Sequence, residues 1–346
     1  KWLIGSFVVF LIIVAVALFY FFTGTKDAVK QTSSPEHPIV IGLLMGTFKE
    51  ERWVTDRDLF IQKAQELGAK VVVMDANDDA NTQIKQAENL ILKGVDVLVI
   101  VPQDAQKSAV IIDDAHKAVI KVLAYDRLIN NPALDYYVSF DSVKVGKYEA
   151  QGIVDVAPKG NFAYVGGSDV DANASLVKEG AFSVLQPRID SGDIKLVFNE
   201  STPGWSQEIA YKNIKNFLAQ GGSLDAVVAA NDSTAAGVIQ ALEEAGLAGK
   251  VPVSGQDAAL SALQNIVTGT QTVTVYKPLK DLAFKAAEMA VGIASGKQIE
   301  TTGTTANGTV RTPSYLLDVV AVTKNNIEQT VIKDGFHTAA EIYPNH

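Results

Sequence analysis

The feature that most constrains the fold of this chain is a regular alternation, from Pro38 onward, of short apolar runs with longer amphipathic stretches. Short runs rich in β-branched residues predict buried strands, whereas apolar residues recurring every three or four positions predict helices. Repeated strand–helix units with right-handed crossovers build a parallel sheet that is covered by helices. The chain is therefore predicted to be an α/β protein.

The alternation occurs in two series. Predicted strands of the first series are 39–45, 70–74, 95–101 and 120–124, and its helices are 53–67, 81–93 and 105–118. Predicted strands of the second series are 160–165, 194–199, 226–230, 251–254 and 271–275, and its helices are 144–154, 175–185, 207–219, 233–245 and 258–267. Two series predict two doubly wound parallel-sheet lobes. A helix at 281–295 and a late strand at 315–322 follow, which predicts that the chain crosses back between the lobes in a multi-strand hinge.

An almost unbroken apolar run of 21 residues occupies positions 2–22. At about 1.5 Å per residue, a helix of that length spans a hydrocarbon core of about 30 Å. The alternative is a cleaved signal peptide, whose apolar region is shorter, about 7–15 residues, and ends in a site of small residues. Residues 22–26 match such a site poorly. We expect a transmembrane anchor over 1–24 and a polar linker over 25–38, with the globular part extracellular or periplasmic at the cell membrane.

Composition excludes several classes of function. The net charge of −9 argues against nucleic acid as a partner, because such partners require a basic surface. The absence of cysteine excludes disulfides and thiol chemistry, and the four histidines are too scattered for a metal site. The sequence contains no glycine-rich nucleotide loop and no nucleophile elbow. We therefore expect no metal, no cofactor and no enzymatic activity.

Polar and aromatic residues follow most of the predicted strands. These sets are 49–53, 126–127, 166–173, 203–205, 231–233, 255–257 and 276–278. Ligands of open α/β sheets bind in the crevice beyond the carboxyl ends of the strands. Side chains from both lobes are therefore predicted to converge on one cleft between the lobes.

The residue types in these sets suit a neutral polyol. A pair such as Asp126 and Arg127 offers acceptors beside a rigid fork of donors, which can hold two neighbouring hydroxyl groups. Trp53 and Trp205 offer flat faces to the apolar side of a sugar ring. Three cations are offset by three carboxylates: Arg52, Arg127 and Lys277 by Asp126, Asp171 and Asp257. Any single member has a simpler explanation, such as Asn231 capping a helix, but jointly they favour a sugar site.

Several motifs carry a resemblance to a known family. They are Glu51-Arg52-Trp53, Val122-Leu123-Ala124-Tyr125-Asp126-Arg127, Gly166-Gly167-Ser168, Asn231-Asp232-Ser233, Ser254-Gly255-Gln256-Asp257-Ala258 and Val275-Tyr276-Lys277-Pro278. From about Pro38 to Phe336 the chain resembles the bacterial D-xylose-binding proteins, which belong to the type I periplasmic-binding-protein family of sugar ABC importers. One stretch departs from that family, because residues 42–47 lack the acidic side chains expected after the first strand.

The resemblance implies roles for individual residues. The hydrogen-bonding ligands of a sugar would be Arg52, Asp126, Arg127, Asn173, Asn231, Asp257 and Lys277, and the stacking rings would be Trp53 and Trp205. It also implies two lobes that close on the ligand about a hinge of three crossings. We assign residues 39–140 with 278–312 to the N-terminal lobe, and 141–277 with 320–346 to the C-terminal lobe.

The resulting expectation is a non-catalytic extracytoplasmic receptor for D-xylose. It would close on the sugar and present it, or signal its presence, to a membrane partner, either a sensor histidine kinase or an ABC sugar permease. Receptors for another pentose or a hexose remain an alternative. The ligand-binding core of a transcriptional repressor is a second alternative, but its DNA-binding segment would have to replace the apolar run that precedes the core.

Overall fold

A computed structural model of the protein describes residues 38–343. The predicted anchor and most of the predicted linker lie outside the described residues. Within residues 38–343, no helix is both long and apolar enough to cross a membrane.

The larger of two principal sheets has seven strands. They are β1 (Val40–Met45), β2 (Lys70–Asp75), β3 (Val97–Ile100), β4 (Lys121–Tyr125), β5 (Tyr136–Phe140), β10 (Gly303–Asn307) and β11 (Val310–Leu317). Their order is β10-β11-β5-β4-β3-β1-β2, and every pair is parallel except the antiparallel hairpin of β10 and β11. Helices α1 (Glu51–Glu66), α2 (Ala80–Leu92), α3 (Ala109–Lys117) and α9 (Leu279–Ala294) pack on this sheet. We call this assembly the first lobe.

Burial on both faces explains why the central strands β1, β3 and β4 are almost entirely apolar. All four residues of β3 are buried, as expected for a parallel strand that has helices above and below it. On one face, α1 packs against α9, and α9 contacts β3, β4 and β5. On the other face, α2 lies against β1, where a Cβ atom on Gly42 would come within 2.9 Å of Leu90 and Leu98. The absence of a side chain at Gly42 thus lets the helix approach the sheet closely.

The smaller sheet has the order β7-β6-β8, all parallel. Its strands are β6 (Gly160–Val165), β7 (Ile194–Glu200) and β8 (Ala226–Ala229). The helices of this part are α4 (Ser142–Val154), α5 (Ala172–Asp190), α6 (Gln207–Ala219), α7 (Asp232–Glu244), α8 (Leu260–Thr268) and α10 (Ala339–Ile342). Strands β9 (Thr274–Tyr276) and β12 (Val320–Val322) form an antiparallel pair beside this sheet. Two isolated bridges lie between the sheet and this pair: Val253 bridges Val227 of β8, and Gln256 bridges Val275 of β9. We call this assembly the second lobe.

Helices α4 and α5 make an unusually close contact on the second lobe. A Cβ atom on Gly146 would lie 1.8 Å from the carbonyl oxygen of Val177. Reciprocally, a Cβ atom on Gly180 would lie 1.9 Å from the carbonyl oxygen of Val143. The two glycines therefore let the helices touch backbone to backbone, which fixes α4 at the junction between the lobes.

The chain passes between the two sheets at three places: residue 141, residues 277–278 and residues 318–319. At the last of these, Asp318 separates β11 of the first lobe from β12 of the second, and it pairs with Lys144 at the start of α4. The first and the last of these passages are adjacent, because the backbone N–H of Asp141 donates to the carbonyl oxygen of Leu317 at 3.0 Å.

The predicted α/β class with parallel sheets is confirmed, while some predicted elements differ. The single late strand predicted at 315–322 is two strands, β11 and β12, in different sheets. The strand predicted at 251–254 forms only one isolated bridge, at Val253. Sequence analysis missed β5, as well as β10 in the Gly/Thr/Asn-rich stretch. Strand β5 lies between β4 and the distant β11, a pairing that a local pattern does not show, whereas β10 pairs with β11 across a two-residue turn and has few of the apolar residues that mark a strand.

Candidate functional site

A cavity lies between the carboxyl ends of the strands of the two lobes. All nine predicted site residues line it: Arg52, Trp53, Asp126, Arg127, Asn173, Trp205, Asn231, Asp257 and Lys277. The cavity is also lined by Glu50, Ser139, Phe140, Ser142, Asp171, Val177 and Gln256. The structure thus brings together the side chains that sequence analysis placed at separate strand ends.

Arg52 anchors the first-lobe wall of the cavity. It lies in the first turn of α1, and its guanidinium donates to Asp126 Oδ2 (2.7 Å) and to Asp56 Oδ2 (3.2 Å). The hydroxyl of Tyr125 donates a short hydrogen bond to the other oxygen of Asp56. Burial raises the pKa of Asp56 to about 6, even though Arg52 opposes this shift. Asp56 and Tyr125 therefore hold Arg52 from behind, on the side away from the cavity.

The backbone turn at Asp126 directs its carboxylate toward Arg52. Asp126 follows β4 and has a φ of +60°, a left-handed conformation that Asp tolerates better than most residues. Its carbonyl oxygen accepts from the hydroxyls of Tyr137 (2.8 Å) and Ser139 (2.6 Å) and from the amide of Asn173 (2.9 Å). These bonds hold the strained turn in place. The carboxylate is left for Arg52 and the cavity.

Two tryptophans supply the flat apolar surfaces of the cavity. Trp53 is buried, and the guanidiniums of Arg52 and Arg127 lie over its ring at 4.3 and 5.1 Å from the centroid. Trp205 packs on Gly167, where an added Cβ atom would come within 2.2 Å of the indole. Its Nε1 donates to Asp171 Oδ2 at 3.1 Å. Both rings are therefore held in place by contacts with neighbouring residues.

Asn231 and Asp171 combine a structural role with a place in the cavity. Asn231 caps α7, since its Oδ1 accepts from the backbone N–H of Thr234 at 2.8 Å. This cap uses the oxygen and leaves the NH2 group available as a donor. Asp171 caps α5 through Oδ1, while its Oδ2 pairs with Arg127 Nε at 2.8 Å. Capping and lining of the cavity are thus compatible for both residues.

Lys277 and Asp257 form the second-lobe wall. Lys277 Nζ lies 2.6 Å from Asp257 Oδ1 and donates to Gln256 Oε1 at 3.0 Å. The amide of Gln256 in turn donates to the carbonyl oxygen of Ala230 at 2.7 Å. Burial alone would raise the pKa of Asp257, but the positive charges of Lys277 and Arg52 outweigh it and lower the pKa. Asp257 is therefore an ionised acceptor at neutral pH.

Several polar contacts link the lobes through the cavity. Arg52 Nη1 lies 3.2 Å from Asp257 Oδ1, and Arg127 of the first lobe pairs with Asp171 of the second. Three cations and four carboxylates line the cavity when Glu50 is included. The cavity has no excess of positive charge, which an anion would require, and its mixture of donors and acceptors suits a neutral polyhydroxyl ligand. Among residues 38–343, no cluster of potential metal ligands is present.

Sequence analysis missed some of the lining residues. Gln256 lies within a set that had been noticed, but its role depends on the bond to Lys277, which the sequence does not show. Phe140 and Ser139 belong to β5, a strand that was not predicted, so no strand-end signal pointed to them. A pattern of aromatic and hydroxyl residues just before Asp141, the cap of α4, was the available clue.

The fold and the cavity define a class of ligand-binding protein that comparison identifies. A family model described as periplasmic binding protein domain matches residues 41–298. The chain belongs to this family, and its α/β fold with parallel sheets is the type I fold.

Individual relatives are similar over most of the chain. The chain is 51% identical over 313 residues to the D-xylose-binding periplasmic protein of Haemophilus influenzae, covering 90% of this chain and 94% of that protein. It is 49% identical to the D-xylose-binding periplasmic protein of Escherichia coli, covering 88% and 92%. A carbohydrate transporter solute-binding protein from Chloroflexus aurantiacus, solved in complex with D-glucose, superposes with a TM-score of 0.82 at 31% identity, covering 88% of this chain and 98% of that chain.

Proposed function

We propose that this chain is a non-catalytic, extracytoplasmic receptor that binds D-xylose in the cavity between its lobes. The observation that carries the proposal is the convergence of nine hydrogen-bonding and aromatic side chains on one cavity whose charged groups leave no excess of positive charge. The names of the relatives that are about half identical over nearly the whole chain support D-xylose as the ligand and a place outside the cytoplasm.

Each wall of the cavity has a role in this proposal. Guanidinium, ammonium and amide groups donate hydrogen bonds to the oxygens of sugar hydroxyls, and the carboxylates accept hydrogen bonds from those hydroxyls. These side chains are Arg52, Asp126, Arg127, Asn173, Asn231, Asp257 and Lys277. Trp53 and Trp205 cover the apolar faces of the sugar ring. A ring bearing hydroxyls around its edge matches a cavity with polar walls and aromatic surfaces.

The two lobes close on the ligand by rotation about the three chain passages. The predicted bodies are residues 39–140 with about 278–312, and 141–277 with about 320–346. Because β11 continues to Leu317 in the first sheet, we take the first moving body to extend to residue 317. Support comes from the position of the ion pairs Arg52–Asp257 and Arg127–Asp171, which join the bodies at the cavity and separate when it opens. Small-angle scattering with and without D-xylose tests this, since closure reduces the radius of gyration.

Calorimetric titration with D-xylose tests the function, with D-ribose and D-glucose as controls. Tight binding selective for D-xylose is the expected result. Preferential binding of D-ribose or D-glucose would reassign the receptor to another pentose or a hexose, and no binding of the three would refute the proposal. Incubated sugar should be recovered unchanged, because a receptor performs no chemistry on its ligand.

The finer proposals concern the membrane. The apolar run at 2–22 is long enough to hold the receptor at the cell membrane as an uncleaved anchor. Fractionation of cells and N-terminal sequencing of the mature protein test this, since a cleaved signal would release a shorter chain.

The candidates for the membrane partner of the receptor are an ABC sugar permease and a sensor histidine kinase. Co-purification with each, in the presence and absence of D-xylose, distinguishes them.

A further inference from the structure

Asp232 is a buried carboxyl group that the proposed function leaves without a role. It is the first residue of α7, it follows Asn231, and its side chain is 5% exposed. It was not among the predicted ligands, and it does not line the sugar cavity. A buried carboxyl group is costly unless it is hydrogen-bonded, so its contacts indicate what it does.

The carboxyl group of Asp232 accepts hydrogen bonds from three other residues. Its Oδ1 accepts from Gln271 Nε2 at 2.9 Å, and both of its oxygens lie 2.9 Å from the hydroxyl of Thr274 in β9. Its Oδ2 accepts from the backbone N–H of Ala259 at 2.9 Å. The carboxylate thus ties α7 to β9 and to the turn that follows Asp257.

That turn has a strained backbone. Asp257 has a φ of +97° and Ala258 a φ of +51°, both in the region that side chains other than glycine rarely adopt. The N–H of Ala258 donates to the same Thr274 hydroxyl, at 3.1 Å. Gly255 lies directly over Asp232, because a Cβ atom there would come within 2.1 Å of Oδ1. Two consecutive strained residues persist only when their surroundings hold them.

We propose that Asp232 is a positioning residue: its ionised carboxylate holds the strained turn that presents Asp257 to the sugar, and sugar affinity therefore depends on its ionisation. The proposal rests on the proposed sugar-binding function. The Ala259 N–H and the Gln271 NH2 group can only donate, and the Thr274 hydroxyl accepts from Ala258 N–H and donates to Asp232, so the charged carboxylate suits all three partners. A proton on Asp232 would have only the Thr274 oxygen as an acceptor, would replace the hydrogen bond that this hydroxyl donates, and would loosen the turn.

The surroundings of Asp232 bring its protonation into the physiological range. Burial, followed by the negative charge of Asp257, raises the pKa of Asp232 to about 7. The charged and titratable groups around it are Asp257 in the turn, Glu149 on α4 and, bound to Asp257, Lys277 after β9. The bonds from Gln271, Ala259 and Thr274 oppose the rise. Acidification through pH 7 should therefore weaken sugar binding.

Calorimetric titration with D-xylose at pH 8, 7 and 6 tests this in the wild type, Asp232→Asn and Glu179→Gln. If only the ionised form binds, a pKa near 7 makes wild-type affinity fall about tenfold between pH 8 and pH 6. Asp232→Asn should bind at least about tenfold more weakly at pH 8 and show no step near pH 7. Glu179→Gln, which alters an exposed carboxylate of the same lobe, should keep that step. An Asp232→Asn protein with wild-type affinity, or one that keeps the step, overturns the proposal.

Two further measurements complete the test. Paired Thr274 variants separate the role of the hydroxyl from a folding defect, and hydrogen exchange tests the positioning role without sugar. Thr274→Val removes the hydroxyl that joins Asp232 to Ala258 and should weaken binding, whereas Thr274→Ser should restore it. Hydrogen exchange of the Ala258 and Ala259 amides, measured without sugar, should accelerate in Asp232→Asn and on acidification of the wild type relative to distant helix amides. Unchanged protection would refute the positioning role. Failure of the wild type to bind D-xylose at pH 8, with the exchange result as expected, would refute the proposed function alone.

Discussion

Arg52 and Asp257 meet across the cleft, with Nη1 of the arginine 3.2 Å from Oδ1 of the aspartate. Each also has a partner on its own lobe: Arg52 pairs with Asp126 at 2.7 Å, and Asp257 pairs with Lys277 at 2.6 Å. The contact therefore joins two charge networks, one from each lobe, at the site where we propose that the sugar binds. In the proposed function, closure of the lobes and recognition of the ligand would use the same side chains.

Asp257→Ala should weaken D-xylose binding by about a hundredfold. Removing the carboxylate leaves the buried charges of Lys277 and Arg52 without one of their partners and removes an acceptor for sugar hydroxyls, which costs about 2–5 kcal/mol for charged pairs of this kind. Asp281→Ala is the matched control, because Asp281 is an exposed carboxylate on α9. Titration calorimetry measures both. Normal binding by Asp257→Ala would show that the second lobe does not contribute to the site in the way proposed.

Trp205→Ala should weaken binding by about 1–3 kcal/mol through the loss of stacking. Trp205→Phe separates two contributions, because it keeps an aromatic face but loses the indole N–H that donates to Asp171. We expect its affinity to lie between those of the wild type and the alanine variant. Affinities are measured by calorimetry at constant pH. If Trp205→Ala bound as tightly as the wild type, the indole would have no contact with the sugar.

Much of the fold was predictable, because buried parallel strands appear in sequence as continuous apolar runs. Strand β6 was predicted at 160–165 and is observed at Gly160–Val165. Strand β5 (Tyr136–Phe140) was missed, since its register is set by β4 and β11, and β11 is more than 170 residues further along the chain. Asp318 likewise gave no signal that it would divide a predicted strand between two sheets.

The positions around the cavity were predictable for a different reason: in a parallel sheet, the carboxyl ends of all strands lie at the same edge. What the sequence could not show is the support behind those positions. Asp56 lies four residues after Arg52, but that spacing does not reveal that the carboxylate is buried and bonded to Tyr125. In the sequence, Asp232 has the features of an ordinary residue at a helix N-terminus, and its hydrogen bonds with Thr274 and Ala259 are visible only in the folded structure. Such support depends on contacts between distant segments.

Gly146→Ala should destabilise the protein by about 1–3 kcal/mol. Its new methyl group would overlap the carbonyl oxygen of Val177, so α4 and α5 would have to separate. Gly292→Ala is the control within a helix, because there the added Cβ atom meets only the end of the Ile299 side chain, at 2.8 Å, and alanine favours the helical backbone. Urea unfolding monitored by circular dichroism measures both. Equal stabilities of the two variants would contradict the proposed role of the glycine contact.

The free energy of unfolding should decrease as the pH rises from about 5 to 7. Burial raises the pKa of Glu149 well above its ordinary value, and it raises the pKa of Asp56 to about 6 and that of Asp232 to about 7. Above about pH 4, these groups lose their protons in the unfolded chain but keep them in the folded protein, until each folded-state pKa is passed. The folded state therefore binds more protons in this window, and raising the pH favours unfolding by on the order of 1 kcal/mol per pH unit for each group.

Glu149→Gln should reduce this pH dependence and stabilise the protein at pH 8. Glu149 is fully buried on α4, and neither of its carboxyl oxygens has a hydrogen-bond partner within the described part of the chain. Glutamine has nearly the same shape and does not ionise, so it removes the cost of keeping a proton on a buried acid. Glu179→Gln on α5 is the control, because Glu179 is exposed. Urea unfolding at pH 5, 6, 7 and 8 measures the slopes, and equal slopes for Glu149→Gln and the wild type would show that Glu149 does not hold its proton in the folded protein.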